Sequence, residues 1–158
     1  MSQRIVSPCV GLCSTTVGDN VCRGCQRHDD EILRWLSFST EQREQRMREL
    51  DQMRSDAASR FVEVMDAGQL EQQLLRHRIR FRQEQPALSR VVELLRVGRQ
   101  QIKDVGRYGI RPVAGSPADP QALYAAINQV LLDAGEARRC RDIESSHSLS
   151  ECSGRPRS

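Results

Sequence analysis

Residues 9–25 read CVGLCSTTVGDNVCRGC, so the cysteines fall as Cys9-x3-Cys13-x8-Cys22-x2-Cys25. A short segment carrying Gly11, Gly18 and Gly24 has no core in which thiols would be buried as packing. The spacing therefore points to chemistry, since each pair can offer two ligands from one turn. Cys22-Arg23-Gly24-Cys25 reads as a knuckle, a tight turn whose backbone N–H groups face the sulfurs, with Gly24 supplying a positive φ. Thr15 to Val21 reads as two β-prone pieces around a Gly18-Asp19-Asn20 turn, a hairpin that returns the second pair to the first. The expected ligands are Cys9, Cys13, Cys22 and Cys25. A tetrahedral thiolate set suits Zn2+ at about 2.3 Å per bond, or an iron–sulfur cluster with one thiolate per corner. The spacing does not choose between the two metals.

The flanking residues carry weaker signals. His28 is read as an exposed or helix-capping side chain in preference to a ligand, because four thiolates already close a site. Arg23 and Arg27 are read either as cations offsetting thiolate charge or as solvated surface, with neither preferred. Trp35 is read as core packing against the knuckle rather than as a shield for a cluster.

Outward from this segment the chain turns helical. The expected class is mostly α: a small four-cysteine knuckle and hairpin module over residues 1–38, amphipathic helices over 39–108, a linker over 109–118, a helix over 119–135 and a disordered tail over 136–158. Asp29, Asp30 and Glu31 place acids at a helix start, with Ile32, Leu33, Trp35 and Leu36 as its apolar face. Ser39 with Gln42 matches a capping box. A long helix then carries Met47, Leu50, Met53, Ala57, Phe61 and Val64 or Met65, until Gly68 ends or bends it. A further helical piece carries Leu70, Leu74 and Phe81 to Pro86. Leu88, Val91, Val92, Leu95, Ile102 and Val105 form the next stripe, closed by Gly106. Asp119-Pro120 opens the last helix, whose stripe is Leu123, Ile127, Val130, Leu131 and Ala134, with Gly135 as its stop. Cys140 and Cys152, with His147 between them, are expected as free thiols in the tail.

Composition limits the functions available. The 158 residues hold only six Phe, Trp and Tyr and are 38% hydrophobic, which argues against one large core. Neither a signal peptide nor a membrane-spanning helix is visible, so a cytoplasmic location is expected, where cysteine clusters more often bind metal than pair as disulfides. The net charge of +3 says little, but Arg76 to Arg111 holds ten basic residues against Glu84, Glu93 and Asp104. Nucleic-acid binding through this stretch is not favoured, because Arg76, Arg78, Arg80 and Arg82 do not share a face on the helix expected there. No Ser/His/Asp set, paired carboxylates or phosphate loop stands out. The leading expectation is a non-enzymatic metal module for interaction or regulation with an unidentified protein partner. The alternatives are a redox protein using an iron–sulfur cluster, and weak nucleic-acid binding.

Ser7-Pro8-Cys9, Cys13, Cys22-Arg23-Gly24-Cys25, Arg27, Asp30-Glu31-Ile32 and Trp35 together resemble a family of small bacterial proteins. It is catalogued as domain of unknown function 1289 and labelled a predicted iron–sulfur protein. The resemblance covers about residues 5–51, including Ser39 to Leu50 as an acidic and Arg-rich helix. It implies metal ligation by Cys9, Cys13, Cys22 and Cys25, and implies no reaction, substrate or partner. His28 departs from the small polar residue typical of the family.

Overall fold

The computed structural model describes residues 8–11 and 13–146. It is mostly helical: α1 (Asp29–Arg34), α2 (Thr40–Ser59), α3 (Ala67–Arg76), α4 (Ala87–Gly98) and α5 (Pro120–Ser146), with two short strands, β1 (Val62–Val64) and β2 (Ile110–Pro112). The chain divides into two compact units. One comprises residues 1–47 and 132–158, and the other residues 48–131. Met1–Ser7, Leu12, His147 and Cys152 lie outside the described residues.

Local signals set the helix starts. Ser39 and Gln42 exchange both bonds of a capping box, Gln42 N–H to Ser39 Oγ at 3.1 Å and Ser39 N–H to Gln42 Oε1 at 2.8 Å. Asp119 caps α5 through Ala122 N–H at 3.0 Å, with Pro120 in the first position. Asp66 caps α3 by accepting from Gln69 N–H at 3.0 Å, a start signal that places Gly68 inside a helix rather than at the end of one.

In residues 48–131 the anticipated stripes form the core. Leu50, Ala57, Leu70, Leu74, Val91, Val92, Leu95, Leu123, Ile127 and Leu131 are all buried. The boundaries differ from the sequence reading in four places. First, α2 stops at Ser59, and Val64 lies on β1. Second, β2 occupies what reads as a linker and pairs antiparallel with β1, Val62 with Pro112 and Val64 with Ile110. Third, α3 ends at Arg76, so Phe81 lies on non-helical chain following Arg78 at φ 56. Fourth, α4 ends at Gly98, and Ile102 and Val105 reach the core from a loop and a 3₁₀ turn (Val105–Tyr108).

The buried Asp51 carboxylate accepts Arg82 Nη2 on both oxygens at 2.6 Å, and Ser89 Oγ donates to it at 3.1 Å. Arg82 makes this half-buried pair from the non-helical chain that follows α3.

The turn before β2 depends on Gly109. Its φ is 74, and its carbonyl accepts Met65 N–H at 2.7 Å and Asp66 N–H at 3.1 Å. A Cβ there would lie 2.3 Å from the Asp66 carbonyl oxygen.

In the other unit α5 does not stop at Gly135 but runs to Ser146. A Cβ on Gly135 would lie 2.7 Å from Val21 Cγ1, so this glycine permits close approach rather than ending the helix. The tail expected to be disordered from residue 136 is thus helical through Ser146. Cys140 sits half-buried on that helix and is disulfide-bonded, not the free thiol expected.

Gly109→Ala should destabilise the protein by about 1–3 kcal/mol through left-handed strain and the clash with Asp66. Urea unfolding followed by circular dichroism should show a lower midpoint with an unchanged slope.

Candidate metal centre

After Cys13 the chain makes a 3₁₀ turn, Ser14–Val17, in place of the first β-prone piece. The Thr16 hydroxyl donates to the Cys13 carbonyl at 2.7 Å, the local bond that lets threonine favour a turn over a strand. Gly18 closes the turn at φ 107. Pairing occurs instead around the knuckle, where Val21 and His28 form an isolated antiparallel bridge and Cys22 N–H donates to the Arg27 carbonyl at 2.9 Å.

Cys22 and Cys25 are both 1% exposed, whereas Cys9 and Cys13 are half-buried. The Cys22 sulfur is hydrogen-bonded by the Cys25 thiol and by the backbone N–H groups of Cys25, Ser14 and Gly24. The bond from Cys25 dominates and, against burial, holds the Cys22 thiol down to about 4. Cys25 is the partner that keeps the proton; that bond and burial push its thiol well above the usual thiol range. Arg27 Nε donates to Cys25 Sγ at 3.4 Å and opposes the rise.

The Ser14 N–H ties the residue after Cys13 to the second cysteine pair, and Arg23 N–H donates to Ser14 Oγ at 2.9 Å. Cys13 Sγ lies 2.9 Å from Thr15 Oγ1, and Cys9 Sγ accepts Gly11 N–H at 3.4 Å. The knuckle thus directs N–H groups at sulfur as its sequence implied. Its positive φ, however, falls on Gln26 (φ 63) and not on Gly24. The Gln26 side chain holds that conformation by donating to the carbonyls of Gly24 at 3.1 Å and Arg23 at 3.3 Å. Nothing about glutamine in a sequence signals a left-handed residue.

The structure separates the two flanking arginines. Arg27 is buried, and its guanidinium lies 4.8 Å from the centre of the buried Trp35 ring while its Nε reaches Cys25. Arg23 is exposed and pairs with Asp19 at 3.2 Å.

A second cluster adjoins the knuckle in sequence. His28 is fully buried rather than exposed. Its Nδ1 accepts Glu31 N–H at 3.1 Å and caps α1, so the ring proton sits on Nε2, which donates to Asp142 Oδ2 at 2.6 Å. Both nitrogens are thereby committed. Glu31, also fully buried, receives Arg138 on both oxygens at 2.5 Å, and Arg46 bridges Glu31 at 3.2 Å and Asp142 at 2.5 Å. Burial of Glu31 turns α1 so that Leu33 and Leu36, expected on its apolar face, are exposed.

His28, Glu31 and Asp142 bring ligand-type atoms within 4.8 Å of one another, a compactness that, among the described residues, no three cysteine sulfurs match. Two guanidinium groups already neutralise these carboxylates, so the cluster is a structural ion network with no charge left for a cation. A thiophilic metal suits the cysteine set, which offers only sulfur donors with N–H groups and a guanidinium directed at them. Among the described residues no helix is long and apolar enough to cross a membrane.

Residues 7–54 match the model of a family described as "Protein of unknown function (DUF1289)". The match spans all four cysteines, the ion-network residues His28, Glu31 and Arg46, and most of α2. No curated protein and no solved structure matches the chain.

Arg138→Leu leaves the buried Glu31 carboxylate short of its bidentate partner and should cost about 3–5 kcal/mol. Unfolding followed by the fluorescence of Trp35, the chain's sole tryptophan, reads the effect on this unit. Burial pushes the Asp142 carboxyl up, but hydrogen bonds from His28 and Arg46 outweigh it and hold the group below the usual carboxylate range. Its contribution to stability is therefore complete above about pH 4 and lost as pH falls through the lower folded value. Asp142→Asn should flatten that acid limb of the stability profile.

Proposed function

We propose that Cys9, Cys13, Cys22 and Cys25 hold one metal centre, zinc or iron–sulfur, in a non-enzymatic module that serves interaction or regulation. The reading rests chiefly on the hydrogen bonding of the Cys22 sulfur. Backbone N–H groups of Ser14, Gly24 and Cys25 converge on it, and the Ser14 donor comes from the turn that begins at Cys13. A buried thiol needs no such set of donors. A metal-bound thiolate does, because its charge has to be met inside the fold. Arg27, buried and directed at Cys25, adds a cation to the same sulfur pair.

Four thiolates on one metal leave no open coordination position, so zinc here would be structural and would supply folding free energy rather than Lewis-acid catalysis. An iron–sulfur cluster would supply one-electron redox chemistry, and a redox role is the second reading. The half-buried Cys9 and Cys13 favour it to the extent that they leave one side of such a centre near solvent. Thiolate ligation of either kind suits a reducing compartment, where the disulfide at Cys140 would be unusual.

Parallel aerobic and anaerobic purification with metal analysis and visible spectroscopy tests the proposal. One zinc per colourless chain supports the structural reading. Brown protein, with iron matched by acid-labile sulfide and reversible bleaching by reductant, supports the redox reading. Cys22→Ser should lose the metal in either case while most far-UV helical signal persists. Metal-free wild type from both preparations, or full metal content in Cys22→Ser, would overturn the assignment.

A further inference from the structure

The ten cations between Arg76 and Arg111 fall into two groups of five. Those of the first group are engaged within the fold. Arg82 is held by Asp51, Arg96 pairs with Glu93 at 2.5 Å, and Arg111 pairs with Glu63 at 2.6 Å. Arg90 donates to the carbonyls of Arg82, Gln83 and Gln85 and lies over Phe81. Arg99 donates to the Arg96 carbonyl and lies over Tyr124. The second group, Arg76, Arg78, Arg80, Lys103 and Arg107, is exposed, as is Arg111 of the first, and Arg80 too has a partner within the fold.

These second five come from two chain segments that the fold joins. Arg76 ends α3, and Arg78 and Arg80 follow it. Lys103 precedes and Arg107 lies within the 3₁₀ turn Val105–Tyr108. That turn is fastened to α3: Gln69 Nε2 donates to the Arg107 carbonyl at 2.8 Å, and the His77 and Tyr108 rings lie 5.9 Å apart at a 34° tilt. The helix expected over this stretch would have scattered the arginines. Instead the chain leaves the helix, and Ile79 and Phe81 pack into the core while Arg78 and Arg80 are exposed. Asp104 is the acid nearest in sequence to the turn, and its carboxylate is occupied in capping Gly106 N–H at 2.9 Å.

We propose that this face, which includes the His77–Tyr108 ring pair, binds the phosphodiester backbone of a nucleic acid. Exposed guanidinium forks match phosphate oxygens, and rings among them offer faces to unstacked bases. A membrane surface is disfavoured, since Leu75 is the one large apolar side chain exposed between Leu75 and Arg80, and interfacial binding needs an apolar face to insert. This inference is independent of the metal.

The test is fluorescence anisotropy of the full-length protein with short labelled single-stranded RNA, single-stranded DNA and duplex DNA. About five phosphate contacts predict an affinity that falls about 100-fold on a single strand as salt rises from about 50 to about 200 mM. Arg76→Glu/Arg78→Glu and, separately, Lys103→Glu/Arg107→Glu should each weaken binding at least about 10-fold and reduce the salt slope. Arg141→Glu, a charge reversal at an exposed site of the other unit, should leave it within about 2-fold. Thermal melts of each variant establish that it is folded. Whichever of the three nucleic acids binds most tightly identifies the source of the backbone. Absence of salt-dependent binding to all three would overturn the proposal. So would equal weakening by Arg141→Glu, or tighter binding to anionic phospholipid vesicles or polyglutamate than to any nucleic acid.

Discussion

A glutamate carboxylate with no exposure to water dominates the unit that contains the cysteines. An ionised group taken out of water costs several kcal/mol unless its charge and lone pairs are met where it sits. Glu31 is met by the paired N–H groups of Arg138 and by Arg46. Much of the local architecture follows from that requirement. Helix α5 has to continue past Gly135 for Arg138 to reach Glu31, and one further turn brings Asp142 to His28. Residue 135 has to lack a side chain, because Val21 occupies the space a Cβ would take. Val21 in turn bridges to His28, so the strand-like edge of the knuckle and the cap of α1 are fixed by the same contacts.

What the sequence disclosed and what it concealed divide along the range of the interactions involved. The capping box at Ser39 and Gln42 and the Asp119-Pro120 start are complete within a few residues, and both appear in the fold. The apolar stripes of α2, α4 and α5 need only a helical period, and they are buried where that period placed them. Strands β1 and β2 have three residues each, and their pairing joins Val62 to Pro112, so no local pattern announces them. Gly135 reads as a stop because glycine commonly follows a helix; its real constraint is Val21, far away in sequence. The Arg- and Glu-rich run after Ala137 reads as disorder when its charges are counted alone. On a helix, Arg138 and Asp142 are one turn apart on a single face, and both find buried partners in residues 28–46.

The candidate site follows the same rule. Cysteine type and spacing mark the four thiols as a candidate ligand set, because residues at turn intervals can face one point; among the described residues no three of their sulfurs lie within 4.8 Å of one another. The roles of the neighbours depend on packing. Arg27 and Arg23 are alike in sequence, yet one is buried between Trp35 and Cys25 and the other is exposed on Asp19. His28 was legible as a cap, but its full burial and its bond to Asp142 require a helix more than a hundred residues later. Composition is silent on which cations of the basic stretch have partners within the fold. The cations count as one charge in composition, although Arg82, Arg90, Arg96, Arg99 and Arg111 each engage an acid, a carbonyl or a ring.

The segment that matches the family model, residues 7–54, does not contain all of its own counter-charges in this chain. Arg46 lies inside it, but Arg138, which holds Glu31 on both oxygens, and Asp142, which accepts the hydrogen bond from His28 Nε2, lie outside. The module is therefore held by two constraints of different origin that adjoin at residues 25–28. On one side are the sulfurs, whose convergence a bound metal would secure. On the other is an ion network that needs no metal and draws on the end of α5. In sequence, the first 27 residues carry few large apolar side chains, Ile5, Val6, Val10, Leu12, Val17 and Val21, to fold them. Residues 28–46 have the network as well, with the Glu31 carboxylate held by Arg138 and Arg46 and Trp35 packed beneath Arg27. Under the proposed assignment, dependence on a metal would be confined to the chain between Cys9 and Cys25, where apolar side chains are few and main-chain donors point at the Cys22 sulfur.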